Sequence, residues 1–204
     1  MMGKKGLLIV ISGPSGAGKG TVCKHWLKNH QETELSISAT TRSPRHNEEN
    51  GINYFFKSTE EFEAMIENND FLEYAKVYDN YYGTPRKYVQ EKLSTGKDVI
   101  LEIDIQGALQ VKERFDQGVF IFIVPPTMEE LKNRIVKRGT EDPDMILKRF
   151  NSAYEELNFI KRYNYVVVND KVVEAVKRIE AITIAEKCRV DRNEDLNLAL
   201  RGGI

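Results

Sequence analysis

Short, nearly continuous apolar runs alternate along this chain with segments whose apolar residues recur at helical spacing. Leu7–Ser12, Val99–Ile103, Phe120–Val124 and Tyr165–Val168 are rich in β-branched residues and have few polar interruptions. That is the pattern of strands buried on both faces of a parallel sheet. Between them lie predicted helices at Lys19–Asn29, Gln106–Phe115, Met128–Lys137 and Val172–Val190. The alternation predicts βαβ units with right-handed crossovers and an α/β fold, a three-layer α/β/α sandwich around a parallel core sheet.

One stretch breaks the rhythm. Residues 35–96 are polar and aromatic-rich, with strand-like pieces at Tyr54–Phe56 and Phe71–Val77. A helix is expected over Thr59–Asn68, with Thr59 as N-cap and Phe62, Met65 and Ile66 facing inward. This predicts an inserted α+β lobe. A second interruption, Gly139–Pro143, joins two charged helices as the tip of a flap. The expected division is therefore a core of 1–34, 97–133 and 156–204, a lobe of 35–96 and a lid of 134–155.

Composition changes this picture little. A formal net charge of −1 over 204 residues gives no reason to expect nucleic acid or an acidic membrane as partner. No apolar run is long enough to cross a bilayer. Leu7–Ser12 is too short for a secretory leader and runs into a glycine-rich loop. Cys23 and Cys188 lack metal-ligand spacing and are expected to be small, buried free thiols in a reducing cytoplasm. Trp26 is expected to pack within its helix. His25, His30 and His46 receive no chemical role, and the charged tail from Asp191 onward carries no signal.

The strongest chemical signal is Gly13-Pro14-Ser15-Gly16-Ala17-Gly18-Lys19-Gly20-Thr21, set between a buried strand and a helix. Glycines let the backbone turn sharply, so successive N–H groups cradle an anion at a positive helix N-terminus. Lys19 adds a point charge for β- and γ-phosphates. This is a P-loop, and it predicts a bound nucleoside triphosphate. The position after the lysine, where a hydroxyl usually reaches Mg²⁺, is Gly20. Mg²⁺ is therefore expected to be held mostly by phosphates and water, with no firm protein ligand.

The inserted lobe carries Ser38-Ala39-Thr40-Thr41-Arg42-Ser43-Pro44-Arg45, then Glu48 and Tyr54. Two guanidinium forks three residues apart can converge on one phosphate, and Tyr54 can add a hydroxyl. Glu73 suits the adjacent N1–H and N2–H₂ donors of guanine. Ser38 and Thr84 can donate to its O6. The residues alone are equally compatible with a solvated charged loop.

Taken together, these motifs resemble guanylate kinase. The set is Gly13–Thr21, Ser38–Arg45 with Glu48, Gly51 and Tyr54, Asn80-Tyr81-Tyr82-Gly83, Glu102-Ile103-Asp104-Ile105-Gln106-Gly107 and Arg138-Gly139-Thr140-Glu141. They occur in that family's order across about Leu7–Lys187. The resemblance implies a core, a GMP-binding lobe and a helical lid, and the reaction ATP + GMP → ADP + GDP, with dGMP a weaker acceptor. It places the GMP phosphate on Arg42, Arg45, Tyr54 and Tyr82, with Glu48 orienting the arginines. It places guanine on Ser38, Glu73 and Thr84. Glu102 stands at a strand end facing GMP, and Asp104, expected on the same strand face, positions GMP or a metal-bound water.

The resemblance also makes Arg134, Arg138 and Arg149 lid arginines closing over the triphosphate. With Lys19 and Mg²⁺ they supply cations where charge spreads during transfer. Asn169 falls at the adenine edge. Closure of the lobes is expected to limit ATP hydrolysis. Monomer and homodimer both remain open. A non-catalytic guanylate-kinase-like interaction module is disfavoured because Lys19 and the lid arginines are present. Fold alone would permit a kinase for another monophosphate. A GTPase is disfavoured because Asn169-Asp170 lacks the Asn-Lys-x-Asp pattern.

Overall fold

The computed structural model describes residues 5–77, 79–137, 143–193 and 202. The first strand, β1 (Leu8–Ser12), is buried throughout and runs directly into the glycine-rich loop and helix α1 (Lys19–Leu27). Strand β2 (Thr33–Leu35) follows, then the lobe strands β3 (Ala39–Thr40) and β4 (Phe55–Phe56). Helix α2 (Thr59–Glu67), β5 (Phe71–Val77), β6 (Asn80–Pro85) and α3 (Arg86–Ser94) lead back to the core. There β7 (Asp98–Glu102), α4 (Ile105–Arg114), β8 (Val119–Val124) and α5 (Met128–Lys137) succeed one another. Helix α6 (Pro143–Glu156) continues into a 3₁₀ turn at Leu157–Arg162, before β9 (Tyr165–Val168) and α7 (Val172–Lys187).

Five strands form a parallel core sheet in the order β2-β7-β1-β8-β9. Alternation along β1 sends Ile9 and Ile11 to one face, where they meet Val22, Trp26 and Ile179 of α1 and α7. Leu8 and Val10 go to the other face, against Val89 and Leu93 of α3 and Ala108 and Val111 of α4. These layers are the expected sandwich. Burying β1 on both faces fixes the strand end from which the loop springs.

Several boundaries differ from expectation. Strand β7 covers Asp98–Glu102 rather than Val99–Ile103. Strand β9 is an edge strand with Val166 and Val168 exposed, so it is buried on one face only. Cys23 is buried as expected, but Cys188 is exposed. The tail is informative after all: Arg192 bonds Glu186 at 3.0 Å and the Gln117 carbonyl at 2.8 Å, latching the end of α7 to the turn before β8.

The lobe sheet has the order β4-β3-β6-β5. Helix α2 is capped by Ser58 rather than Thr59: Ser58 accepts from Glu61 N–H, and Glu61 accepts from Ser58 N–H. Phe62 then stacks between Phe71 and Tyr81, with ring centroids 4.4 Å and 5.2 Å away. Met65 and Ile66 complete that small core. Helix α3 lies inside the 35–96 stretch, yet it packs on the core sheet. Helix α4 grips the lobe. Gln110 bonds both the N–H and the carbonyl of Tyr74, and Arg114 donates to the Phe71 and Leu72 carbonyls. Helices α5 and α6 share their own apolar cluster, Leu131, Ile135, Ile146, Phe150 and Ala153.

Candidate functional site

The loop after β1 makes a cavity of about 210 Å³. Gly13, Ser15, Gly16, Gly18, Lys19 and Gly20 line it, together with Glu102, Asp104, Ile105 and Glu156. Gly13 and Gly18 have φ of 140° and 89°, conformations that side chains rarely adopt. Gly18 caps α1 without a side-chain hydrogen bond, which leaves the first-turn amides to an incoming anion. Lys19 Nζ folds back on the Gly13 carbonyl at 2.6 Å and the Pro14 carbonyl at 3.3 Å, which holds it over the cradle. Burial lowers its pKa, and the carboxylates of Glu102, Glu156 and Asp104 oppose that shift. Pro14 and Ala17 are buried and Thr21 is exposed, and none of the three lines the cavity.

Gly20 has a spatial reason. A Cβ there would stand 3.0 Å from Glu102 Oε1. The Glu102 carboxylate thus fills the space into which a side chain after the lysine would project. Asp104 is not on the strand, as expected, but is the N-cap of α4, accepting from Gly107 N–H at 2.7 Å. A helix starting one residue earlier than its pattern indicated turns Asp104 into a cap while keeping it at the cradle.

Helices α5 and α6 meet the loop from outside. Arg149 donates to Ser15 Oγ at 3.0 Å. Arg134 reaches the Asn169 carbonyl at 3.0 Å and the Ala17 carbonyl at 3.4 Å, and pairs with Glu130 at 2.8 Å. Asn169 Nδ2 donates to the same Ala17 carbonyl at 2.8 Å. Arg134 and Asn169 therefore brace the outer wall of the loop, and neither lines the cavity. Arg138 lies outside the described residues.

A second cavity, about 340 Å³, opens next to the first. Ser38, Tyr54, Thr84 and Glu102 line it, with Ser36, Asn53, Leu101 and Ile103. Glu102 belongs to both cavities and forms their common wall. Glu73 stands behind Thr84, 7% exposed, and accepts from Thr84 Oγ1 at 2.6 Å. Burial raises its carboxyl to about 7, reinforced by the charge of Asp104 and moderated by Thr84 and Arg114. Gly107 gives it room, since a Cβ there would sit 3.1 Å from Glu73 Oε2.

Near Tyr54 lies a basic cluster. Glu48 takes both carboxylate oxygens to Arg42 Nη2 at 2.9 Å and accepts from Arg45 N–H at 2.8 Å. Its pairing with Arg42 raises the arginine's pKa and keeps the fork charged. The Arg42 guanidinium lies 5.5 Å from the Tyr54 ring centroid, and Tyr82 meets Tyr54 edge to face at 6.1 Å. Arg45 is exposed. The structure thus joins Arg42, Glu48, Tyr54 and Tyr82 in one group, with Arg45 at its rim.

Sequence reasoning missed three participants. Glu156 bonds Ser15 N–H at 3.3 Å across the cradle. Its signal was a spacing of seven from Arg149, two helical turns on one face. Arg114, which moderates Glu73, had no local signal. Neither did Ser36, whose buried hydroxyl has no hydrogen-bond partner among the described residues and whose residue lines the second cavity.

Known proteins share this architecture. A family model for guanylate kinase matches residues 5–186. A guanylate kinase of Caldanaerobacter subterraneus is 67% identical over 198 residues, covering 97% of this chain and 96% of the relative. One from Clostridium tetani is 63% identical over 201 residues, covering 98% and 96%. The crystal structure of guanylate kinase from Anaplasma phagocytophilum superposes with a TM-score of 0.72 at 33% identity, covering 94% of this chain and 91% of that one.

Proposed function

We propose that this chain, which belongs to the guanylate kinase family and transfers a phosphoryl group from ATP to GMP, carries out that transfer across the wall shared by its two cavities. The donor triphosphate lies in the Gly13–Thr21 cradle with its β- and γ-phosphates on backbone amides and Lys19. GMP lies in the second cavity, its phosphate on Arg42, Arg45, Tyr54 and Tyr82, with Glu48 orienting the arginines. Guanine meets Ser38, Thr84 and the carboxylate of Glu73. Glu102 and Asp104 face the line between donor and acceptor. A phosphate oxygen of GMP attacks the γ-phosphorus as the bond to the ADP oxygen breaks, so the reaction needs alignment and cations rather than a protein nucleophile.

Arg149 already touches the loop from the lid. Arg134 and Arg138 complete a set of guanidiniums above the transferring group, and Asn169 borders the adenine. Arg134 leaves the Ala17 carbonyl to do so. The working division is a core, a lobe within 35–96 and a lid within 134–155.

Among the described residues no group of three or more His, Cys, Asp or Glu is placed to hold a metal ion. The acidic side chains at the cradle are Glu102, Asp104 and Glu156, all oxygen donors. They fit Mg²⁺ carried mostly by phosphates and water, with these carboxylates reached through water. Bound there, the ion neutralises charge on the phosphate oxygens. No helix among the described residues is long and apolar enough to cross a membrane. The proposed setting is the cytoplasm, with neither nucleic acid nor membrane as partner, and with a monomer or homodimer as the working unit.

The observation that carries this reading is the single carboxylate, Glu102, common to both cavities. The test is phosphoryl transfer from ATP–Mg²⁺ to a panel of nucleoside monophosphates. GMP is expected to be strongly preferred, with dGMP second. Equal turnover of AMP or dTMP would sink the assignment of the second cavity to guanine.

A further inference from the structure

Glu156 ends α6 at the point where the helix tightens into the 3₁₀ turn. Its half-buried side chain crosses to the cradle, where Oε2 accepts from Ser15 N–H at 3.3 Å. Two turns earlier on the same helix face, Arg149 donates to Ser15 Oγ at 3.0 Å. One lid helix therefore holds one loop serine with an anion and a cation. An anion on a loop amide beside the Lys19 ammonium is the same chemistry that the loop offers a phosphate oxygen. Glu102 and Asp104 line the same 210 Å³ cavity as Glu156. A triphosphate entering with Glu156 still in place would face like charge from three carboxylates.

We propose that Glu156 sets the donor affinity: in the nucleotide-free chain its carboxylate holds the place of a donor phosphate oxygen at Ser15 N–H, and it withdraws when the triphosphate enters. The inference deepens the donor assignment of Gly13–Thr21 and rests on it. Donor binding then includes the displacement of an internal anion, so intrinsic affinity for phosphate is partly masked. Withdrawal also frees the C-terminal end of α6 from the loop. Arg149, seven residues away on the same helix face, can turn toward the incoming charge. Donor loading and lid position are thereby coupled.

The test is Glu156→Gln, nearly isosteric and without the charge. Titration calorimetry with ADP and with inorganic pyrophosphate, in the presence of Mg²⁺ and without GMP, is expected to show binding tighter by about three- to tenfold. The pyrophosphate arm reports the phosphate cradle free of adenine contacts. KM for ATP should fall while GMP affinity stays level. Glu156→Asp keeps the charge on a shorter arm and should tighten donor binding less than Glu156→Gln. Donor affinity that is unchanged or weaker in Glu156→Gln, at wild-type GMP affinity, overturns the proposal. So does equal weakening of both ligands in both variants, which marks a structural role. If the wild-type chain binds neither ADP nor pyrophosphate, the donor assignment itself falls.

Discussion

In the proposed arrangement the donor cradle and the acceptor pocket solve the same problem, holding a phosphate, with opposite materials. The cradle is one contiguous loop between a buried strand and a helix, and its donors are backbone amides with a single ammonium. The proposed acceptor pocket is built from side chains on β5, β6 and β7, the segment between β2 and β3, and the loop between β3 and β4. A backbone site tolerates side-chain change except where a Cβ collides. A side-chain site depends on each group and on whatever orients it. Discrimination between bases therefore belongs to the second region and grip on the donor to the first.

Removing the guanine carboxylate tests that contrast most severely. Glu73→Ala should lower kcat/KM for GMP by about 10²–10³-fold, because the base's paired donors lose their partner. Donor affinity, measured by ADP titration, should move by less than about twofold. A comparable loss for both ligands would break the separation of the two regions.

The cradle's own sensitivity lies at Gly20, whose missing side chain makes room for Glu102. Gly20→Ser should cut kcat by about tenfold, and Glu102→Asp, shorter by one methylene, should restore part of that loss in the double variant. A coupling of about 1 kcal/mol is expected from the cycle, as for residues in contact. Additive losses would show that the two positions do not share space.

The smallest effect is one of pH. Glu73 is held up to about 7, above the ordinary 4.5, and guanine's donors call for its ionised form. KM for GMP should therefore rise roughly five- to tenfold between about pH 7.5 and about pH 6 as the carboxyl takes up its proton. The sign for stability is reversed. A raised folded-state pKa contributes stability that is full below 4.5 and lost as pH climbs through about 7. Melting curves of the ligand-free chain should carry that contribution, and Glu73→Gln should remove it. Parallel rather than opposite slopes would contradict this role for Glu73.

How much of this was legible follows the same contrast. The P-loop is visible because its chemistry is contiguous, and β1 and β8 because burial leaves an unbroken apolar run. Helix α3 escaped notice: Arg86–Ser94 is mostly polar, and its anchors Val89 and Leu93 are a single i, i+4 pair. The Ser58 cap lost out to Thr59 because two adjacent hydroxyl residues offer the same signal, and only the reciprocal bond with Glu61 decides. The apolar pattern starts the helix at Gln106, one residue late, so it gives no sign that Asp104 is the cap. In the acceptor pocket, the order of motifs points to Arg42 and Glu48, and Glu73 stands out as a carboxylate suited to guanine's paired donors. The burial of Glu73 behind Thr84 depends on β5 and β6 meeting in register, which no local pattern announces.

Helix α4 begins at the Asp104 cap beside the donor cavity and ends with Gln110 and Arg114 fastened to the backbone of β5. It is a rigid rod with one end at the reacting groups and the other clamped to the acceptor lobe. Any swing of that lobe about the core would drag or bend this rod, so that a ligand taken up in the lobe would act mechanically on Asp104.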